Sequence, residues 1–153
     1  NMNTFLDKLD ALIYAIDGGA SDLYMNQESL LGIWSILRRL GLLQTDKDMF
    51  GREIWMYKGA RINDMGVKND QVTKIIPNTE VAYGGGAAQC TSIYGVRYDV
   101  GEQLWGIQTY PLDVDDIGKL NDGVTYRTVV DWPLSLANAG RRSMARLDSI
   151  YWA

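Results

Sequence analysis

Two apolar stripes at helical spacing open the chain. In NTFLDKLDALIYAIDGG, Phe5, Leu9, Leu12, Ile13 and Ile16 recur on one face of a helix. Thr4, with Asp7 three residues later, resembles a capping box, and Gly18 and Gly19 supply the stop. DLYM then reads as a short buried strand. Asn26 caps a second helix, with Glu28 in its first turn and Leu30, Ile33, Trp34, Leu37 and Leu40 as its apolar stripe. Arg38 and Arg39 suit the negative end of that helix dipole, and Gly41 is the stop signal. Gly32 costs the helix about 1 kcal/mol relative to alanine, which predicts a close neighbour at that point.

After Gly41 the period shortens. REIWMYKGARI reads as a strand bent or broken at Gly59. Residues 64–89 carry few periodic signals. They hold Pro77, several Asn and Asp and three glycines, and read as a long excursion with a short helix over Val72 to Ile76. Thr91 to Tyr98 reads as a strand, Asp99-Val100-Gly101 as a turn, and Gln103 to Ile107 as the strand that pairs back in a hairpin. Tyr110 to Val114 is a further short strand, and DDIGKLNDG a turn-rich break. From Val124 to Trp132 the alternation is clean: Val124, Tyr126, Thr128, Val130 and Trp132 share one face. Pro133 marks an edge or a bend. NAGRRSMARLDSI supplies a turn, a short helical turn and a final strand. The fold class is α+β, with two main helices in the first third and an antiparallel-rich sheet in the rest.

Composition sets bounds on function. The 153 residues make one domain or one large piece of one, and 46% hydrophobic content is enough for a core. No apolar run reaches the roughly 18 to 20 residues that span a bilayer, which argues against a membrane partner, and no secretory pattern follows Asn1. The net charge of −4, with only the small basic pairs Arg38-Arg39 and Arg141-Arg142, argues against a duplex-binding surface. Cys90 is the only cysteine; an internal disulfide is impossible, a reducing compartment fits, and a buried thiol is the simplest role. Histidine is absent. That excludes Ser-His-Asp, Cys-His and His-rich metal chemistry on this chain, and leaves carboxylates, lysine or tyrosine for any catalysis.

The chemical candidates are few. YGGGAAQCTSIYG has neither the lysine of a phosphate loop nor the spacing and following helix of a dinucleotide loop, so Gly84 to Gly86 read as a flexible connection into a strand. Asp113, Asp115 and Asp116 could attract a hard cation. Counted from Asp113, however, the fifth and twelfth positions of a calcium loop fall on Ile117 and Val124, so a solvated turn is the better reading. No particular pair of carboxylates points to acid–base chemistry. Trp34 and Trp132 lie on apolar faces and read as core, and Arg141-Arg142 as a solvated or subunit-contact pair. No catalytic, cofactor-binding or metal-binding residue is assigned.

Taken in order, the motifs resemble a known family. A helix, DLYMN, a second helix ending in RRLGLL, FGREIWMYKGARI, the run TSIYGVRYDVGEQLWGIQ and the closing TYRTVVDWPLSLANAGRRSMARLDSI together resemble the C-terminal part of tailed-bacteriophage major capsid proteins. The resemblance implies the HK-ninety-seven-type capsid fold. An axial-domain-like region would occupy mainly residues 1–123, a sheet flanked by helices, and residues 124–153 would return as closing strands to a peripheral domain. It also implies a virion structural protein that self-assembles into pentamers and hexamers around double-stranded DNA. Its partners would be copies of itself, with scaffolding, portal or decoration proteins, and packaged DNA would be met only non-specifically. The chain would reside in the virion capsid, and in the host cytoplasm during assembly. No N-terminal arm, extended loop or long spine helix is recognised before Thr4, so the chain reads as a fragment, not expected to close shells alone. An encapsulin-type shell shares the fold and is one rival reading. An unrelated Asp/Tyr-based carbohydrate- or nucleotide-handling enzyme is the other.

Overall fold

A computed structural model describes residues 2–86, 88–119, 121 and 123–152. Helix α1 (Met2–Tyr14) is followed by strand β1 (Asp22–Met25), helix α2 (Gln27–Leu40), and strands β2 (Gln44–Lys47), β3 (Glu53–Tyr57), β4 (Ala60–Asp64), β5 (Glu80–Val81) and β6 (Ala88–Val96). The rest is all strand: β7 (Leu104–Gln108), β8 (Asp113–Lys119), β9 (Tyr126–Asp131), β10 (Leu134–Asn138) and β11 (Met144–Ile150). Seven of these strands form one sheet in the order β11-β6-β1-β4-β3-β2, with β5 also on β6. Only β1 and β4 run parallel; the other pairs are antiparallel.

The core lies between the two helices and one face of this sheet. Leu9, Leu12, Ile13 and Ile16 from the first helical stripe and Leu30, Ile33 and Leu37 from the second meet Leu23, Met25, Ile62 and Ile93 from the strands. Gly95 admits α1 closely: a Cβ there would sit 2.9 Å from Cδ1 of Ile16. At the lower end of α1, Arg142 donates from Nε to the Ala15 carbonyl at 2.9 Å and from Nη2 to that of Tyr14 at 3.2 Å. A cation here satisfies the free carbonyls and the negative end of the dipole.

Helix α2 begins as its sequence predicts. Asn26 is extended, and its side-chain oxygen accepts from the Ser29 N–H at 2.9 Å. Gly41 closes the helix in the left-handed conformation, φ 66°. Asn26 is also buried, and its amide donates to Oγ1 of Thr91 at 2.9 Å, to the Ile76 carbonyl at 3.4 Å and to the side chain of Asn78. One side chain thus ties the helix start, strand β6 and the loop at 76–78 together. The neighbour expected at Gly32 is Trp152: a Cβ on Gly32 would lie 2.5 Å from its ring. The indole donates to Oγ of Ser29 at 2.9 Å and meets the Phe5 ring edge-on at 5.2 Å. The end of the described chain therefore locks both helices to the last strand.

Several local expectations are corrected. Helix α1 is already formed at Met2, so Thr4 lies inside it and is not a cap. No helix forms over Val72 to Ile76, because Asp70 accepts from the backbone N–H groups of Val72 and Thr73 and holds a turn instead. The break allowed for at Gly59 is present: REIWMYKGARI divides into β3 and β4 around a two-residue turn, Lys58-Gly59, both with positive φ. Strand β6 does not pair back with β7: it is flanked by β1 and β11 and also pairs with β5, and β7 pairs with β10. Asp113 to Lys119, read as the tail of a short strand and a break, is strand β8, because pairing with β9 overrides its polar composition. Leu120 and Asp122 of that stretch lie outside the described residues.

Two stability outcomes follow. Asn26→Ala should cost about 2–4 kcal/mol by denaturant unfolding, through loss of the cap and of buried hydrogen bonds, while Asn26→Ser, which keeps a cap oxygen, should recover only about 1 kcal/mol of it. Gly32→Ala should destabilise by about 1–3 kcal/mol by overpacking against Trp152. In a Trp152→Ala background the sign should reverse toward the roughly 1 kcal/mol gain expected from helix propensity.

Candidate assembly surface

The small-molecule candidates separate in space. Gly84, Gly85 and Gly86 all have positive φ, stand clear of any neighbour and lead into β6 rather than a helix, so no helix N-terminus faces them. Cys90 is buried in β6. Asp113, Asp115 and Asp116 lie along β8, and among the described residues no group of three acidic or cysteine side chains converges on a point. Arg142 is engaged on the end of α1 and pairs with Asp17 at 3.2 Å. Trp34 is half-buried and stacks on Trp55 at 4.8 Å, with the Arg38 guanidinium over its ring. Trp132, expected in the core, is 52% exposed. Among the described residues no helix is long and apolar enough to cross a membrane.

The face of the sheet away from the helices is only partly covered. The loop at 75–77 leaves a groove of about 550 Å³ floored by Tyr24, Tyr94 and Val96 and flanked by Ile75, Pro77 and Tyr98. The Tyr24 and Tyr98 hydroxyls are 3.0 Å apart. Burial, followed by that hydrogen bond, raises the Tyr24 phenol well above the usual tyrosine range, so it stays protonated. Tyrosines are the only titratable side chains lining the groove, and it holds no acid–base pair. Beside it, Arg146 bridges Glu80 at 2.9 Å and Ser92 at 3.0 Å, which fastens β5, β6 and β11 together.

A two-stranded ribbon is exposed over most of its length. Strands β7 and β10 pair from Leu104↔Asn138 to Gln108↔Leu134, and β8 and β9 then continue from Asp113↔Asp131 to Lys119↔Tyr126. The same two stretches of chain pair twice, with a break at 109–112 and 132–133. The ribbon is anchored at its root: Leu104 is buried, the Ala139 N–H donates to Gln103 at 3.0 Å, and Ser143 Oγ donates to Asn138 at 2.6 Å. Beyond the root, every residue of β9 and nearly all of β8 are exposed.

Its two faces differ in character. Val114 lies opposite Val130, and Tyr126, Thr128, Val130 and the following Trp132 alternate onto that side. Asp116 and Lys119, opposite Thr128 and Tyr126, flank these side chains on the same side, and the opposite face carries Asp113, Asp115, Arg127, Val129 and Asp131. The apolar side chains stay open to solvent: Val114 58%, Val130 62%, Tyr126 70%. Alternation of this kind ordinarily marks a strand with one face covered. Among the described residues nothing packs over it, and apolar side chains grouped on a protein surface are a usual mark of an interaction site.

No family model matches the sequence, and no curated protein matches it either. Among solved structures, the chain is similar to one in the cryo-EM structure of the holo-SrpI encapsulin complex from Synechococcus elongatus PCC 7942. The TM-score is 0.62 at 19% sequence identity, covering 96% of this chain and 51% of that one. The likeness is one of fold: a mixed α+β arrangement of a sheet and two helices, similar to the encapsulin form of the HK-ninety-seven-type capsid fold. The chain spans about half the length of the encapsulin chain it matches.

Because Val130 is 62% exposed, Val130→Lys should change the unfolding free energy at high dilution by less than about 0.5 kcal/mol, whereas Ile93→Ala in the core should cost about 2–5 kcal/mol. Denaturant titration of the two variants checks the contrast.

Proposed function

We propose that this chain is part of a structural subunit of a closed protein shell, working by contact area between copies rather than by catalysis. The observation that carries the reading is the ribbon, an ordered pair of strands whose alternating Tyr126, Thr128, Val130 and Trp132 have no cover among the described residues. A fold similar to that of an encapsulin supports it, as does the order of capsid-like motifs along the sequence. Shell proteins join by repeated symmetric contacts, and an exposed element that is incomplete alone is what such contacts complete. The division into an axial region over residues 1–123 and peripheral strands over 124–153 goes with this reading.

Two kinds of shell are compatible with these observations. The motif wording favours a phage capsid, in which pentamers and hexamers enclose double-stranded DNA, with scaffolding, portal or decoration proteins as further partners. Such a subunit would sit in the virion, and in the host cytoplasm during assembly. The similar solved structure favours an encapsulin-type shell. The enzyme alternative draws little support from a groove lined by tyrosines with no acid–base pair.

Sedimentation velocity and negative-stain microscopy of the purified protein over a rising concentration series should show association into small rings. A strict monomer at every concentration would count against the shell reading. In assemblies recovered from the producing cell, nuclease-protected DNA identifies the capsid form, and enclosed protein identifies the encapsulin form.

A further inference from the structure

The ribbon has two outer edges, and they are unequal. Strand β8 carries Asp113, Asp115 and Asp116, with a bulge between Asp116 and Gly118. Charges and bulges are the usual devices that keep an edge from pairing. Strand β9 pairs with β8 alone, is exposed throughout and contributes no extra residue to the bulge. Pro133, which has no N–H, bounds it two residues beyond Asp131. The outer edge of β9 is therefore an open template.

Its sequence is complementary to itself. Two antiparallel copies of β9 about a two-fold axis through Val129 place Arg127 opposite Asp131 of the second copy, and Asp131 opposite Arg127 of the second copy. The same register sets Tyr126 opposite Trp132 and Thr128 opposite Val130. Opposite charges and aromatic pairs are the cross-strand partners that favour antiparallel pairing, and two-fold symmetry makes each occur twice. Adjacent in-phase registers fail. An axis through Thr128 puts Arg127 against Val129, and one through Val130 puts it against Pro133.

Within the chain Asp131 accepts a hydrogen bond from the Tyr110 hydroxyl but faces Asp113 directly across the ladder, an unfavourable like-charge pair, while Arg127 faces Gly118. Among the described residues Arg127 has no carboxylate partner. An isolated two-stranded ribbon is also marginal in water, whereas a sheet of three or more strands with an apolar face is not.

We propose that the outer edge of β9 pairs with the same edge of a second copy of this chain, antiparallel about a two-fold axis at Val129. The product is a four-stranded sheet, β8-β9 with its symmetry mate, in which Tyr126, Thr128, Val130 and Trp132 of both copies share one face. This deepens the shell-subunit reading and rests on it for the place of the contact within a larger assembly.

Charge exchange tests the register. Arg127→Asp or Asp131→Arg alone sets like charges against each other at both symmetric positions, and should weaken dimerisation by at least about tenfold in sedimentation velocity. The double variant R127D/D131R restores opposite charges and should return the affinity to within about threefold of the original. Independently, Val129→Cys should give a covalent dimer with a short bis-maleimide, while the unsubstituted chain, whose Cys90 is buried, should not. Single variants without effect, a double variant that stays weak, or an uncrosslinked V129C would overturn the pairing. If rings or shells still form in those cases, the shell reading stands without this contact. A monomer in every variant and in the unsubstituted chain would overturn both.

Discussion

The buried side chain of Asn26 joins helix, sheet and loop by hydrogen bonds. Its oxygen takes the Ser29 N–H that the first turn of α2 leaves free, and its amide reaches β6 at Thr91 and the loop at Ile76 and Asn78. A buried amide is costly unless satisfied, and these partners fix where α2 starts, how it sits on the sheet and where the loop crosses the far face. The tyrosine groove and the position of β6 both follow from that placement. From β6 the chain runs past Arg97 and Asp99 to the root of the ribbon, where the Asp99 N–H donates to the Leu104 carbonyl at 3.2 Å.

The molecule thus has two regimes. In the first, two helices and seven strands bury a continuous apolar core and are locked by Trp152 against Gly32. In the second, the ribbon leaves that core with its backbone paired and its side chains in solvent. Hydrophobic burial stabilises the first within one chain; the second reaches comparable burial only when another surface covers it.

Local signals were faithful in part. The cap at Asn26, the stop at Gly41 and most of the two helical stripes depend on neighbours within a turn or two and are present, whereas Leu40 is exposed, Thr4 lies inside α1 and no helix forms over Val72 to Ile76. The anomaly at Gly32 was legible, but its cause was not, because Trp152 arrives from 120 positions away (152 − 32). Pairing was the weak point. A hairpin between β6 and β7 is the short-range choice, yet β6 is flanked by β1 and β11, whose proximity in space leaves no mark in spacing. The acidic residues of β8 look like a turn until β9 supplies the partner. Arg142 reads as a surface charge because its helix end lies 127 residues earlier. The alternation through Trp132 announced a face to be covered without saying by what, and among the described residues that face is uncovered.

Amide hydrogen exchange, followed residue by residue at high dilution and again at assembling concentrations, tests the central claim most directly. The account predicts slow exchange in β1 and β6 under both conditions, and rapid exchange in β8 and β9 at dilution. It further predicts that exchange in the ribbon slows as the protein associates, most of all in β9. A ribbon already protected at dilution, or association that slows exchange elsewhere and leaves the ribbon unchanged, would contradict it.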